Sequence, residues 1–476
     1  LRTPLLRRIV VGFLLLSWFL AACAGPAPRP TPASATSTLA KADPSPTPVH
    51  STTPVPTPGL GVSADALRGT SLTFWYALDE PAGQTLEKLI VQFNAINPWG
   101  ILVRPRGFLT SSDLLDAIQP LSSASPPPDL VTLLPLQLRA FQSTSELLLD
   151  LSPYVKDAEW GLKSGEEADF LTPFWQAGLD GQVRLGVPWL LDGGVLYYNQ
   201  TWARELGFDS PPATPGEFEQ QVCASAKANA VAPELERRGT GGWIAASDWL
   251  TASSWVTAFG GNLRPSASGE YRLNTPEVVD AFAYLKRLFD QGCAWLARNP
   301  SPYDYFAHRM ALMYAGSLEE IPAQARAMKL ADSADEWTIV PFPAQNGAPL
   351  LIADGLSFAV IRSNPERQLA AWLLVRWLLD PSRLAEQARA AGVIPARNSS
   401  LQMLESDAAM PSQWRAVAAR FDQAEATPEE VSWRTARNVL EDAVRQLFEA
   451  NTRAEQVPDI VQQLDQMVRE VLDKGS

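Results

Sequence analysis

The chain has 476 residues, with 39 Lys and Arg against 52 Asp and Glu, a formal charge of −13. That balance disfavours nucleic acid or an anionic membrane face as a partner. Its two histidines, His50 and His308, cannot build a His-rich metal cluster, no cysteine spacing resembles a metal site, and no serine stands in a nucleophile motif. No metal or other cofactor is expected.

The amino-terminal LRTPLLRR carries Arg2, Arg7 and Arg8 and no acid, and IVVGFLLLSWFL follows from Ile9 to Leu20. Twelve apolar-rich residues fall short of the roughly 20 needed to cross a bilayer. A basic head, a short apolar run and small residues after it read as a secretory signal. Leu20-Ala21-Ala22-Cys23 resembles the lipobox of bacterial lipoproteins. The resemblance implies a signal peptide over 1–22 and a mature chain lipidated on Cys23, whose acyl chains anchor it to the membrane. One acyl chain holds only marginally and several hold durably. Residues 23–70 then form a Pro-, Thr- and Ser-rich tether, as in SPTPVHSTTPVPTPG. Such a segment buries too little apolar surface to fold, and its prolines keep it semi-rigid over about 100 Å.

From Ser71 onward about 400 residues remain, more than one hydrophobic core usually serves, so two lobes are expected. SLTFWYAL (71–78) is a short apolar run suited to a strand. Leu86, Leu89, Ile90 and Phe93 then recur on one face of a helix. ILVRP (101–105) reads as a strand, SDLLDAIQ (112–119) as a helix and DLVTLL (129–134) as a third strand. The alternation implies crossovers and a mostly parallel sheet. A second α/β region opens near 185 with VRLGVPW and GGVLYYN. WTIVPFP (337–343) and LSFAVIRS (356–363) read as strands before an apolar helix holding Leu369, Trp372, Leu373 and Trp377. The tail is helical, with Leu440, Ala443, Val444 and Leu447 on one face and Val457, Ile460, Val461, Leu464, Met467, Val468 and Val471 on another. Cys223 and Cys293 form either a disulfide, which export permits, or two buried thiols.

Several segments together resemble one family, the extracellular solute-binding proteins of ABC importers, the group with maltodextrin- and glycerol-phosphate-binding members. They are LTFWYALDEPAGQTLEKLIVQFNAINP (72–98), PDLVTL (128–133), LLLDLSPYV (147–155), the long VRLGVPW…GEFE segment (183–219), FAHRMALMYAGS (306–317) and AGVIPARNS (391–399). The resemblance spans about 71–472 in the family's order. It implies an α/β, periplasmic-binding-protein-like fold of type II, with two lobes joined by several crossing segments around a ligand cleft. Lobe one would comprise 71–182 and 345–382, and lobe two 183–344 and 383–476.

The resemblance also implies a monomeric, non-enzymatic receptor outside the cytoplasmic membrane. It would hand a carbohydrate, or else a polyol phosphate or another small polar solute, to ABC permease subunits. A sensor or adhesion module of the same fold is the other binding role, and a glycoside hydrolase would need carboxylates at a set separation that nothing in the sequence fixes. Solute contacts are expected from Trp75, Asp79 and Glu80 at the end of the first strand, where open sheets bind ligand. Asp129, Trp189 and Asp192 are expected to reach the cleft from the third strand and the crossing segment. Asp248 and Trp249 would line it at the entrance of a lobe-two helix, where Leu250 departs from the family's aromatic residue. Gly316 and Ser317 would offer backbone N–H groups and a hydroxyl, and Trp433 a stacking face. Leu318 stands where the maltodextrin branch has a tryptophan, which argues against a long maltodextrin. Asn199 and Arg397 are expected to serve the structure.

Overall fold

A computed structural model describes residues 59–118, 127–299 and 301–475. The expected signal peptide, Cys23 and most of the tether lie outside the described residues. The first strand runs Ser71–Ala77 and the first helix Glu80–Ile96. Asp79 caps that helix, its carboxylate accepting from the Ala82 N–H at 3.3 Å, and Pro81 occupies its first turn, where a missing N–H costs nothing. Leu86, Leu89, Ile90 and Phe93 are buried on one face as the spacing requires. Asn97 ends the helix by donating to the Phe93 and Ile101 carbonyls and accepting from the Ile101 N–H.

The main sheet has two parallel wings. In the first, Leu102–Phe108, Ser71–Ala77 and Leu130–Leu133 lie side by side. In the second, Met313–Ser317, Trp243–Ile244 and Ala294–Trp295 do so. Between them run two long strands, Val187–Asn199 and Ile352–Val360, antiparallel to one another and to the wing strand beside each. The expected mostly parallel sheet is therefore corrected at its centre. The VRLGVPW and GGVLYYN segments near 185–199 form largely one thirteen-residue strand. Its first half pairs with Ile352–Val360 and its second with Met313–Ser317 and Trp337–Val340.

The hand-over falls at Gly193-Gly194. A Cβ at Gly193 would approach the Phe421 ring at 3.1 Å, and one at Gly194 would approach Leu250 Cγ at 3.0 Å. Side chains here would push away the elements that close on the crossing strand.

Apolar packing gathers around Leu72, Phe74, Phe93, Trp372 and Leu373 on one side, and around Phe218, Trp243, Trp255, Phe282 and Leu440 on the other. The helix Pro381–Ala391 packs on the first helix, on the side of the first wing rather than with the second lobe, where the sequence reading put it. The short strand Glu425–Ala426 likewise pairs with Ile352–Ala353. Cys223 and Cys293 are joined as a disulfide, closing a separation of 70 residues.

Candidate functional site

The carboxyl ends of the first-wing strands and the hand-over point of the sheet enclose a cleft of about 560 Å³. Leu78, Asp79, Leu109, Thr110, Ser111 and Leu134 line it from the first wing, beyond the strand ends where open α/β sheets bind ligands. Leu190–Gly193 and Asp354–Leu356 form its floor, and Trp249, Leu250, Ser317 and Glu319 face it from the second wing.

Four carboxylates, those of Asp79, Asp192, Glu319 and Asp354, border this space, and among the described residues no basic one does. Asp192 is held by the sheet itself: its Oδ1 accepts from the Gly193 N–H at 2.8 Å and the Leu318 N–H at 2.9 Å, and the Ser317 hydroxyl adds a third bond. Burial and the charge of Glu319 nevertheless push it up to about 7. Burial also pushes Asp354 up to about 6, against hydrogen bonds from the Gly355 N–H and Thr427. Glu319 rises through desolvation and then the nearby Asp79 charge. Its carboxylate makes no hydrogen bond or ion pair among the described residues, so its acceptors are free for a guest. No group of His, Cys, Asp and Glu among the described residues is arranged to hold a metal.

Four of the eleven expected binding residues, Asp79, Asp192, Trp249 and Ser317, line this cleft. Asp248 caps the Trp249–Ala258 helix, accepting from the Thr251 N–H at 3.0 Å. It borders a neighbouring hollow of about 400 Å³ with Tyr303, Tyr314 and Glu320. Gly316 is half-buried and borders neither space; a Cβ there would meet the Glu320 carboxylate at 2.9 Å. Glu80 is exposed and takes a hydrogen bond from Gln84.

The remaining four are placed in the scaffold. Trp75 lies within its strand, with Phe108 at 5.2 Å and the Arg106 guanidinium over its ring at 4.6 Å. Asp129 is buried in a two-pronged ion pair with Arg367, at 2.7 and 2.6 Å, and accepts from the Thr73 N–H and hydroxyl. Trp189 is fully buried, tilted onto Phe358 at 4.6 Å, and its indole N–H donates to Gln387. Trp433 belongs to the second core at 1% exposure. For Trp189 and Trp433 the outcome turns on pleat and helix face, each pointing to the side that the sheet and helices bury, whereas Trp75 is half-buried at the margin of a smaller apolar cluster.

Asn199 and Arg397 serve structure. Asn199 caps the following helix and donates to Asp335, while Arg397 is buried against Asp169 at 2.7 Å. Sequence reasoning missed Asp354 because it began this strand at Leu356, whereas the strand starts at Ile352 and runs through Asp354. It also missed Glu319, Thr110 and Ser111, polar residues whose role depends on where their loops end.

A family model described as bacterial extracellular solute-binding protein matches residues 88–415, more than half of the chain. No curated protein matches the chain in sequence. Among solved structures, the sugar-binding protein MalE from Xanthomonas citri superposes with a TM-score of 0.72 at 22% identity, over 85% of this chain and 98% of that one. The cyclic alpha-maltosyl-1,6-maltose binding protein from Arthrobacter globiformis gives 0.69 at 17%, over 84% and 98%. UgpB from Mycobacterium tuberculosis, solved with glycerophosphocholine, gives 0.67 at 16%, over 85% and 99%. These likenesses establish the two-lobed fold.

Proposed function

The chain belongs to the bacterial extracellular solute-binding proteins, and we propose that within this family it is the sugar receptor of an ABC importer. It captures a hydroxyl-rich sugar or oligosaccharide outside the membrane, closes its lobes over it and presents it to the permease. The observation that carries this reading is the cleft lined by four carboxylates with the Trp249 indole at its side. Carboxylates accept hydrogen bonds from sugar hydroxyls, and an indole covers the apolar C–H face of a sugar ring at little entropic cost. An anionic solute would meet repulsion in this part of the cleft. The neighbouring sugar-binding structures agree with the reading.

Lobe closure couples capture to transport, because a permease that recognises the closed form distinguishes loaded from empty receptor. The chain acts by binding and performs no reaction. It works as a monomer held at the outer face of the cytoplasmic membrane by lipid on Cys23, with the Pro-rich tether as spacer. Replacing Cys23 by Ser removes the acyl mass from the exported protein and moves it from the detergent phase to the aqueous one; unchanged partition refutes the anchor.

The function is tested by following the thermal midpoint of the whole protein against mono- and oligosaccharides, sugar alcohols and glycerol phosphates. Ligand that binds the folded form raises the midpoint by mass action. A rise of several degrees with one sugar class bears the reading out. A flat response to every sugar, with the protein folded, overturns it.

A further inference from the structure

The cleft has a second compartment of opposite charge. Beside its first-wing wall, a hollow of about 100 Å³ is bordered by Ser112, Leu115, Asp116, Leu136, Gln137 and Ala140, and on the far side by Arg434 and Arg437 of the Trp433–Leu447 helix. It adjoins the main cleft at two points. Ser111 and Leu134 border the cleft and their near neighbours Ser112 and Leu136 border the hollow. The Arg437 guanidinium also lies over the Trp249 ring at 5.0 Å, and that ring borders the cleft.

Arg437 is unusual in its partners. Its Nε is buried without a hydrogen bond, and the guanidinium forms no ion pair among the described residues. Desolvation lowers its pKa, and the neighbouring Arg434 charge lowers it further, while the charges of Asp354 and Glu441 oppose both without a hydrogen bond. Two arginines three apart on one helix therefore face a small polar hollow, one of them desolvated and without a hydrogen-bonded counter-charge. A desolvated charge without a partner is costly, and a guanidinium offers a planar fork of donors matched to an oxyanion. Asp116 borders the same hollow but forms no ion pair with either arginine among the described residues.

We propose that Arg434 and Arg437, with Ser112 and Gln137, form a binding site for a small oxyanion (carboxylate, sulfate or phosphate) that opens onto the solute cleft. Its occupant is either an acidic group at one end of the solute or a free anion. The first source rests on the solute-receptor reading above; the second does not. A solute of the first kind has hydroxyls toward Asp79, Asp192 and Glu319 and its acid toward Arg437. The Gln137 side chain donates to Ser111 at 3.2 Å and accepts from the Leu134 N–H at 3.0 Å, so the wall opposite the arginines is already fixed in place.

The test is calorimetric titration of the whole protein with inorganic phosphate at fixed ionic strength, and separately with glucose and glucuronate. Phosphate binds the native chain, and Arg437→Gln weakens it tenfold or more. Arg434→Gln, at an exposed position, weakens it severalfold. Asp116→Asn strengthens it severalfold by removing the competing carboxylate. Glucuronate favoured over glucose tenfold, with the preference lost in either arginine variant, identifies the solute's own acid as the occupant. Phosphate binding with no such preference identifies a free anion. Absence of both, or phosphate binding unaltered in the arginine variants or in Asp116→Asn, overturns the site. Glucose binding without any anion response would refute this inference alone; an anion response without sugar binding would refute only the sugar reading.

Discussion

Asp192 and Asp354 stand directly opposite one another on antiparallel neighbours, and both border the cleft. Facing like charges destabilise a strand pair, and burial pushes the two up to about 7 and about 6. A carboxyl group whose pKa is raised on folding stabilises the fold fully below its ordinary value, and that contribution is lost as pH rises through the folded pKa. The thermal midpoint of the solute-free protein therefore falls between pH 5 and pH 8. Asp169, held low by hydrogen bonds from Ser399 and then Arg397, and Asp335, held low by Arg309, titrate beneath this window. Asp192→Asn flattens the decline near pH 7; an unchanged slope in that variant would refute the assignment.

Solute binding runs the other way. A hydroxyl donating to Asp192 favours the ionised carboxylate, so binding lowers the pKa of that group and affinity tightens as pH rises from 5.5 to 8. Titration with the sugar identified in the thermal screen reads this directly. Affinity that weakens over the interval removes Asp192 as an acceptor.

Trp249 and Trp433 separate binding from folding. Trp249 borders the cleft, whereas Trp433 is 1% exposed in the second core. Trp249→Ala costs about tenfold in solute affinity and leaves the thermal midpoint within a few degrees. Trp433→Ala costs about 3–5 kcal/mol of stability, seen in denaturant melts. The reverse pattern would place the stacking face on Trp433.

Asp129 was a binding candidate in sequence and is an anchor in the fold. Asp129→Ala leaves Arg367 without its partner and the Thr73 N–H without its carboxylate acceptor. The expected loss is about 2–4 kcal/mol of stability, with solute affinity unchanged in the fraction that folds. A selective loss of affinity at full stability would restore Asp129 to the site.

The Cys223–Cys293 disulfide closes a loop of 70 residues within the second wing, remote from the cleft lining. Chain-entropy arguments give a loop of this length about 4 kcal/mol. Reduction lowers the thermal midpoint and spares solute affinity at room temperature. Loss of affinity at unchanged midpoint would contradict this.

Much of the architecture was legible in the sequence because it is local. Alternating short apolar runs and 3.6-period stripes mark the strands and helices; a basic head and short apolar run before Cys23 mark a segment distinct from the rest. Family motifs added the two lobes and the general place of the cleft. Direction within the sheet was not legible, because the same apolar run serves a parallel or an antiparallel neighbour. Only pairing made Val187–Asn199 and Ile352–Val360 antiparallel crossing strands. Nor could the sequence tell which tryptophans face a guest: Trp75, Trp189 and Trp433 carry the same chemistry as Trp249, and burial on one side of a pleat or helix decides between them. The acidic lining and the paired arginines beside it come from segments far apart in the chain. Asp79, Asp192, Glu319, Asp354 and Arg437 meet only because the sheet changes partners at Gly193-Gly194, and long-range contacts of that kind leave no period in the sequence.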